Sequence, residues 1–346
     1  MKLEVGIKAF GKSQIIGPKG GNIMSKKISV IILSIPVMLL LSSFVWAAEP
    51  YPTREIELIV PFNTGGGIDL MSRALAPKLS EILGKPVLVV NKPGAAGTVG
   101  TALAVQRKPD GHTLVSLSPS CILFAPNFQK VPFDPIKDIT YIAGWVDQPF
   151  GIQVRADSPW KTLDDLIDYA KKNPGKVKHG HLGTNSLGHI YMEAIAKDRG
   201  VDWIHVPYQG DGTTIPALLG GHVDVATIAV AWVPHARSGQ IRPLALFGTK
   251  RFKSFPELPT LNELGFNYYA GGAGFLGVGA PAGLPEEIRK KLEDTFKTAV
   301  NTPEFVKTTE NLSLEVWFRP GDELKISAKE GLKAINDMAV RIGLKK

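Results

Sequence analysis

Several short stretches combine glycines, hydroxyls and imidazoles where strands should end, and each could hold a ligand. Phe62-Asn63-Thr64-Gly65-Gly66-Gly67-Ile68-Asp69 runs from a strand pattern into a helix pattern. Three glycines allow a close backbone approach, and a helix start adds positive dipole, so an acid group can be held here without arginine. The same residues would equally serve as a plain strand-to-helix turn. Asp69 and Arg73 stand four apart, the spacing of a helical ion pair.

The stretch His179 to His189 reads His-Gly-His-Leu-Gly-Thr-Asn-Ser-Leu-Gly-His. Its amides and the Thr184 and Ser186 hydroxyls could take a second acid group. His179, His181 and His189 raise a three-histidine zinc site. The helix would have to fold His189 back onto the strand face, and no acid sits beside it, so no metal is assigned. A hydrolase reading on Ser186 and His189 lacks the nucleophile elbow, because Thr184 stands where Gly-x-Ser-x-Gly needs its first glycine. No catalytic residue is assigned. Tyr208 in His205-Val206-Pro207-Tyr208-Gln209-Gly210 offers a flat face and a hydroxyl, and Ser118 and Ser120 follow another strand. Ligands of open α/β sheets lie beyond the carboxyl ends of strands, the position all these segments share. Asn91 to Gly100 spaces its glycines Gly94-x-x-Gly97-x-x-Gly100, which is not the dinucleotide fingerprint, and no Walker sequence occurs. No cofactor is expected.

Alternating strands and helices must position these segments. Strands are predicted over Glu55–Pro61, Pro86–Val90 and Thr113–Leu117, with helices over Ile68–Leu83 and up to Val105. A second group begins after Trp145, with strands Gly151–Arg155, Val177–His181, Trp203–Val206, Val223–Ile228 and Arg242–Phe247. Its helices are Thr162–Lys172, with Thr162 as N-cap, Ser186–Arg199 and Thr214–Leu219. After the glycine-rich Gly271–Gly279 come helices Pro285–Val300 and Asp322–Ile342. The pattern predicts an α/β fold of two lobes with mixed or parallel sheets flanked by helices. The first lobe is discontinuous, residues 48–150 plus 275–346, and the second spans 151–274.

The chain has 346 residues and a net charge of +8. Residues 1–47 carry six lysines against Glu4, +5 of that total, leaving +3 for the remainder. No later basic cluster is interleaved with aromatics, so nucleic acid is not an expected partner. Lys26 and Lys27 precede an apolar run from Ile28 to Ala48 that ends in Val45-Trp46-Ala47-Ala48. This is the layout of a cleaved signal peptide, which predicts a periplasmic protein; the run is also long enough for a permanent membrane anchor, but its small-residue end and the proline-rich start of the next segment favour cleavage. Met24 is the more usual start for such a segment. Cys121 is the only cysteine and is expected to be a small buried hydrophobe.

From about Tyr51 to its end, the chain resembles the substrate-binding proteins of tripartite tricarboxylate transporters, the Bug-type receptors. The likeness rests on Tyr51-Pro52, Pro61-Phe62-x-x-Gly65-Gly66-x-x-Asp69, Asn91-x-Pro93-Gly94-Ala95-x-Gly97, Asp110-Gly111-His112, Asp157-Ser158-Pro159 and Pro174-Gly175-Lys176. It continues through Val206-Pro207-Tyr208-x-Gly210, Leu218-Leu219-Gly220-Gly221-x-Val223-Asp224, Leu258-Pro259-Thr260 and Ala280-Pro281-Ala282-Gly283. The resemblance implies a hinge-closing receptor of the periplasmic binding protein type. It implies a small organic acid as ligand and a membrane permease with a large and a small subunit as partner. It places Phe62, Thr64, Gly65 and Gly66 in one half of the site and Thr184, Asn185, Ser186, His189 and Tyr208 in the other. His181 replaces a serine usual in the family, Asn185 a glycine and Phe275 a tryptophan, so the ligand cannot be transferred from relatives.

The expected function is an extracytoplasmic solute receptor, as a monomer. The rival readings are an exported hydrolase or metal-dependent enzyme using the His181, Ser186 and His189 region, and a receptor for a sensor kinase.

Overall fold

The computed structural model describes residues 50–147, 150–248, 250–266, 275–312 and 314–345. The segment read as a signal peptide and the first part of the Gly271–Gly279 stretch lie outside them. No described helix is long and apolar enough to cross a membrane.

In chain order the elements are β1 (Ile56–Val60), α1 (Gly67–Leu83), β2 (Val87–Asn91), α2 (Thr98–Val105), β3 (Thr113–Leu117) and β4 (Ile139–Asp147). Then follow β5 (Gly151–Arg155), α3 (Leu163–Lys172), β6 (Val177–His181), α4 (Leu187–Arg199), β7 (Trp203–Pro207), α5 (Asp211–Leu219), β8 (Val225–Ile228) and β9 (Ile241–Leu246). The last are β10 (Phe275–Pro281), α6 (Glu286–Val300), α7 (Pro303–Asn311), β11 (Glu315–Pro320) and α8 (Gly321–Arg341). Short helical turns cover Ser120–Phe128 and Val230–Arg237.

Two mixed sheets result. The first has the order β11-β4-β10-β3-β1-β2 and the second β7-β6-β8-β5-β9. β1 pairs in parallel with β2 and β3 and is apolar at four of five positions, as a strand covered on both faces must be. β10 runs antiparallel between β3 and β4. In the second sheet β6 is parallel to β7 and β8, while β5 is antiparallel to β8 and β9. The chain passes to the second sheet between β4 and β5 and returns between β9 and β10.

Most boundaries agree with the expected ones to within a few residues. Thr162 caps α3 in a reciprocal box, accepting from the Asp165 amide at 3.1 Å while Asp165 accepts from the Thr162 amide at 2.9 Å. Asp69 and Arg73 form their ion pair at 3.0 Å. Cys121 is buried and unbridged. Four elements are additions to the expected set: β4, β10, α7 and β11. β4 holds Trp145 in the core, stacked on Phe296 of α6 at 5.3 Å between centroids.

Candidate functional site

Three helices start at one place. Gly66, Ser186 and Gly210 are the N-cap residues of α1, α4 and α5. Each follows a strand end, so the first-turn amides, which have no acceptor within their helix, converge from both sheets. Between them lies a small enclosed pocket. Its walls include Phe62, Gly66, Gly67 and Ile68 at the start of α1, Ser118 and Ser120 after β3, Phe150, Leu182, Leu187 and Asp211. Among the described residues, no lysine or arginine lines it.

A side-chain network shapes the loop before α1. Asn91 donates to the Phe62 carbonyl at 3.0 Å and to Asp69 Oδ1 at 2.9 Å, while Arg73 and Thr64 donate to Asn91 Oδ1. Asp69 Oδ2 accepts from the Gly65 amide at 2.9 Å. Asp69 therefore braces the turn and Arg73 holds Asp69, so the charged pair faces the loop and not the pocket.

The two halves touch across the cleft. The Asn63 amide donates to the Gln209 carbonyl at 3.0 Å, the Leu187 amide to Ser120 Oγ at 3.3 Å and Asn185 Nδ2 to Gln129 Oε1 at 3.0 Å. Gly212, in the first turn of α5, lies so near Thr64 that a Cβ there would overlap the Thr64 carbonyl oxygen. The remaining cavity is about 20 Å³, the room of one water. Anything larger than a water can enter only if the two halves part.

Asp211 is the residue that sequence reasoning missed. Its carboxylate is buried and accepts from the Ala229 amide at 3.2 Å and, weakly, from the Gly67 amide at 3.5 Å. Burial pushes its pKa up to about 6, against the pull of those two amides. One signal was available: Asp211 follows Gly210 at a strand-to-helix turn, the position that Gly67 and Leu187 hold on α1 and α4.

The expected site residues separate into groups. Phe62, Gly66, Ser118 and Ser120 line the pocket. Thr64 and Gly65 are exposed on the outer side of the turn, and Thr184 is exposed on the facing loop. Asn185 has φ of 62° and reaches across to Gln129. Ser186 Oγ caps α4 by accepting from the His189 amide at 3.4 Å. Its partner is backbone, not an imidazole, so Ser186 is not paired with His189 as a nucleophile would be. Tyr208 is half-buried, with its amide on the His181 carbonyl at 2.8 Å.

His181 and His189 are not among the pocket walls. Their rings join His179 and His205 on the face of the second sheet covered by α4, with centroid separations of 4.6 Å for His181–His189 and for His189–His205. Burial, helped by the neighbouring imidazoles, drives His179 well below its usual range, His181 down to about 3 and His189 down to about 4. The expectation that no acid sits beside His189 does not hold: Glu193, one helical turn on in α4, stands next to it. In the fold, Glu193 Oε1 lies 3.0 Å from His205 Nε2 and 3.8 Å from His189 Nε2. The His205 hydrogen bond holds the Glu193 carboxyl below its ordinary value.

Residues 71–344 match the tripartite tricarboxylate transporter family receptors. A Cupriavidus necator protein, described as a UPF0065 protein in the gbd 5′ region, is 36% identical over 299 residues, 86% of this chain and 90% of its own. The solved periplasmic binding protein BugD superposes with a TM-score of 0.78 at 28% identity, over 86% of this chain and 100% of its own. MatC from Rhodopseudomonas palustris, with bound malate, gives 0.78 at 27% identity over 83% and 99%. A second R. palustris protein, with adipate, gives 0.77 at 27% over 85% and 98%. This chain shares their two-lobed fold, each sheet forming the centre of one lobe. The chain belongs to the tripartite tricarboxylate transporter receptor family, one of periplasmic solute-binding proteins and not of enzymes.

Proposed function

We propose that this protein binds a small organic acid between its lobes and hands it to a membrane permease with a large and a small subunit. The observation that carries the reading is the meeting of three helix N-termini at one buried pocket with two serine hydroxyls and no basic side chain. Such a pocket holds carboxylate oxygens through amides and hydroxyls. Malate and adipate in two structural relatives support a dicarboxylate of four to six carbons. Residues 48–150 with 275–346 form the first lobe and 151–274 the second. Phe62, Gly66, Ser118 and Ser120 contact the ligand from the first, and Leu187 and Asp211 from the second. Export by a cleaved segment ending near Ala48 delivers the protein to the periplasm.

A thermal-shift screen of the purified protein against dicarboxylates, tricarboxylates, aromatic acids, amides and amino acids tests this. A ligand confined to the folded state adds about 2.7 kcal/mol at a hundredfold excess over its Kd. A shift with one acid class and none with its amide is expected. A shift only with neutral compounds would overturn the reading.

A further inference from the structure

The histidine cluster lies outside the ligand pocket and has its own chemistry. His179 and His181 alternate on β6, so both rings leave one face, and His205 pairs with His179 across β7. His189 descends from the first turn of α4, with Glu193 one turn further on. One ring nitrogen from each of His181, His189 and His205 lies within 4.8 Å of the other two. We propose that these three histidines, with Glu193, form a binding site for a divalent transition-metal ion of the zinc class.

The donors fit that class. Three imidazoles and a carboxylate suit zinc, cobalt or nickel rather than magnesium or calcium. A tetrahedral ion with bonds of about 2.0–2.1 Å holds its donors about 3.3 Å apart. The cluster therefore has to contract by an ångström or so, within reach of side-chain rotation.

Hydrogen bonds already aim the rings. His181 Nδ1 lies 2.9 Å from the Gly183 carbonyl and 3.3 Å from the Gly183 amide. The shorter contact requires a proton on Nδ1, which leaves the Nε2 lone pair pointing into the cluster. That Nε2 is buried and has no hydrogen-bond partner. An orphaned acceptor in a buried polar group calls for an explanation, and an ion supplies one. His205 Nδ1 lies 3.1 Å from His179 Nδ1, and His179 Nε2 lies 3.0 Å from Thr227 Oγ1. This relay can run in either direction. With His205 donating into it, His205 Nε2 is free for the ion and Glu193 turns from acceptor to ligand. His189 is the weakest donor: its Nδ1 accepts from the Asn185 amide at 3.1 Å, a bond that ligation through Nε2 must break. Glu193 and His205 keep 38% and 18% of their side chains exposed, which opens the site to ions from solvent.

The test uses the full chain without a histidine tag, stripped with chelator and titrated with zinc and with cobalt in carboxylate-free buffer. One zinc per chain should survive gel filtration, and cobalt should give the intense visible band of a tetrahedral site. Glu193→Gln and His205→Ala should each weaken binding tenfold or more, His189→Ala should weaken it less than His181→Ala, and His222→Ala, at an exposed turn, should leave it unchanged. No retained metal, or cobalt with only the pale spectrum of the hydrated ion, would overturn the proposal. So would a His205→Ala variant with unchanged affinity. If His205→Ala does not fold, Glu193→Gln at its half-exposed position decides the same point.

Discussion

Gly212 lies against the Thr64 carbonyl oxygen, in the first turn of α5 on one side of the cleft and the loop before α1 on the other. In the hinge-closing receptor proposed above, this contact belongs to the closed cleft. It makes residue 212 a place where closure can be blocked without disturbing either lobe.

Gly212→Ala should therefore weaken ligand binding and spare folding. The backbone at 212 is ordinary helix, so alanine costs the open form nothing. The overlap costs about 1–3 kcal/mol in the closed form alone, or roughly 5- to 150-fold in Kd. Calorimetry with the acid found in the screen measures the loss, and solution scattering should show a wider molecule with ligand than for wild type. Unchanged affinity would show that closure does not bring Thr64 and Gly212 together.

Asp211 should make stability depend on pH. Its folded pKa of about 6 lies above the unfolded 3.8. The folded state therefore holds this proton more tightly. The stability so gained is complete below about pH 3.8 and is lost as pH rises through 6. Asp211→Asn removes the dependence. Wild-type stability relative to the variant should fall by on the order of 2–3 kcal/mol between pH 4 and pH 7. Urea unfolding at several pH values gives the difference curve, and a flat one would refute the assignment.

The same carboxyl should tie ligand affinity to pH. A bound acid beside Asp211 raises its pKa further, so binding takes up a proton and weakens above about pH 6. Calorimetry in buffers of different ionisation enthalpy counts the proton. Asp211→Asn should bind with no uptake and a flatter pH profile.

Ser120→Ala should cost about 1 kcal/mol of binding, roughly fivefold in Kd. The Leu187 amide loses its acceptor across the cleft while buried in the pocket wall. Wild-type affinity in this variant would mean that ligand or water replaces the hydroxyl.

Thr162→Ala serves as a stability change remote from the cleft. Losing the α3 cap should lower Tm by about 2 °C. Ligand affinity should not move. A change in affinity would show that α3 is coupled to closure.

What the sequence determined by itself was local. The β-branched runs, the Thr162 cap and the Asp69–Arg73 pair depend on residues within a few positions of each other, and all could be read along the chain. So could the glycine turn at the start of α1, because a strand, a turn and a helix in succession already imply an anion-binding end. β4 was harder: Ile139–Asp147 is long and apolar, but its place is set by antiparallel partners β10 and β11, which lie more than a hundred residues on. Tertiary structure alone decided the rest. Asp211 meets Gly67 across 144 positions, His205 meets His179 across 26, and Glu193 of α4 meets His205 of β7. No periodicity records such meetings, because they depend on how two strand ends and a helix face pack. Packing also turned His181 and His189 away from the pocket walls, since their strand and helix bury the same face on which the other imidazoles lie.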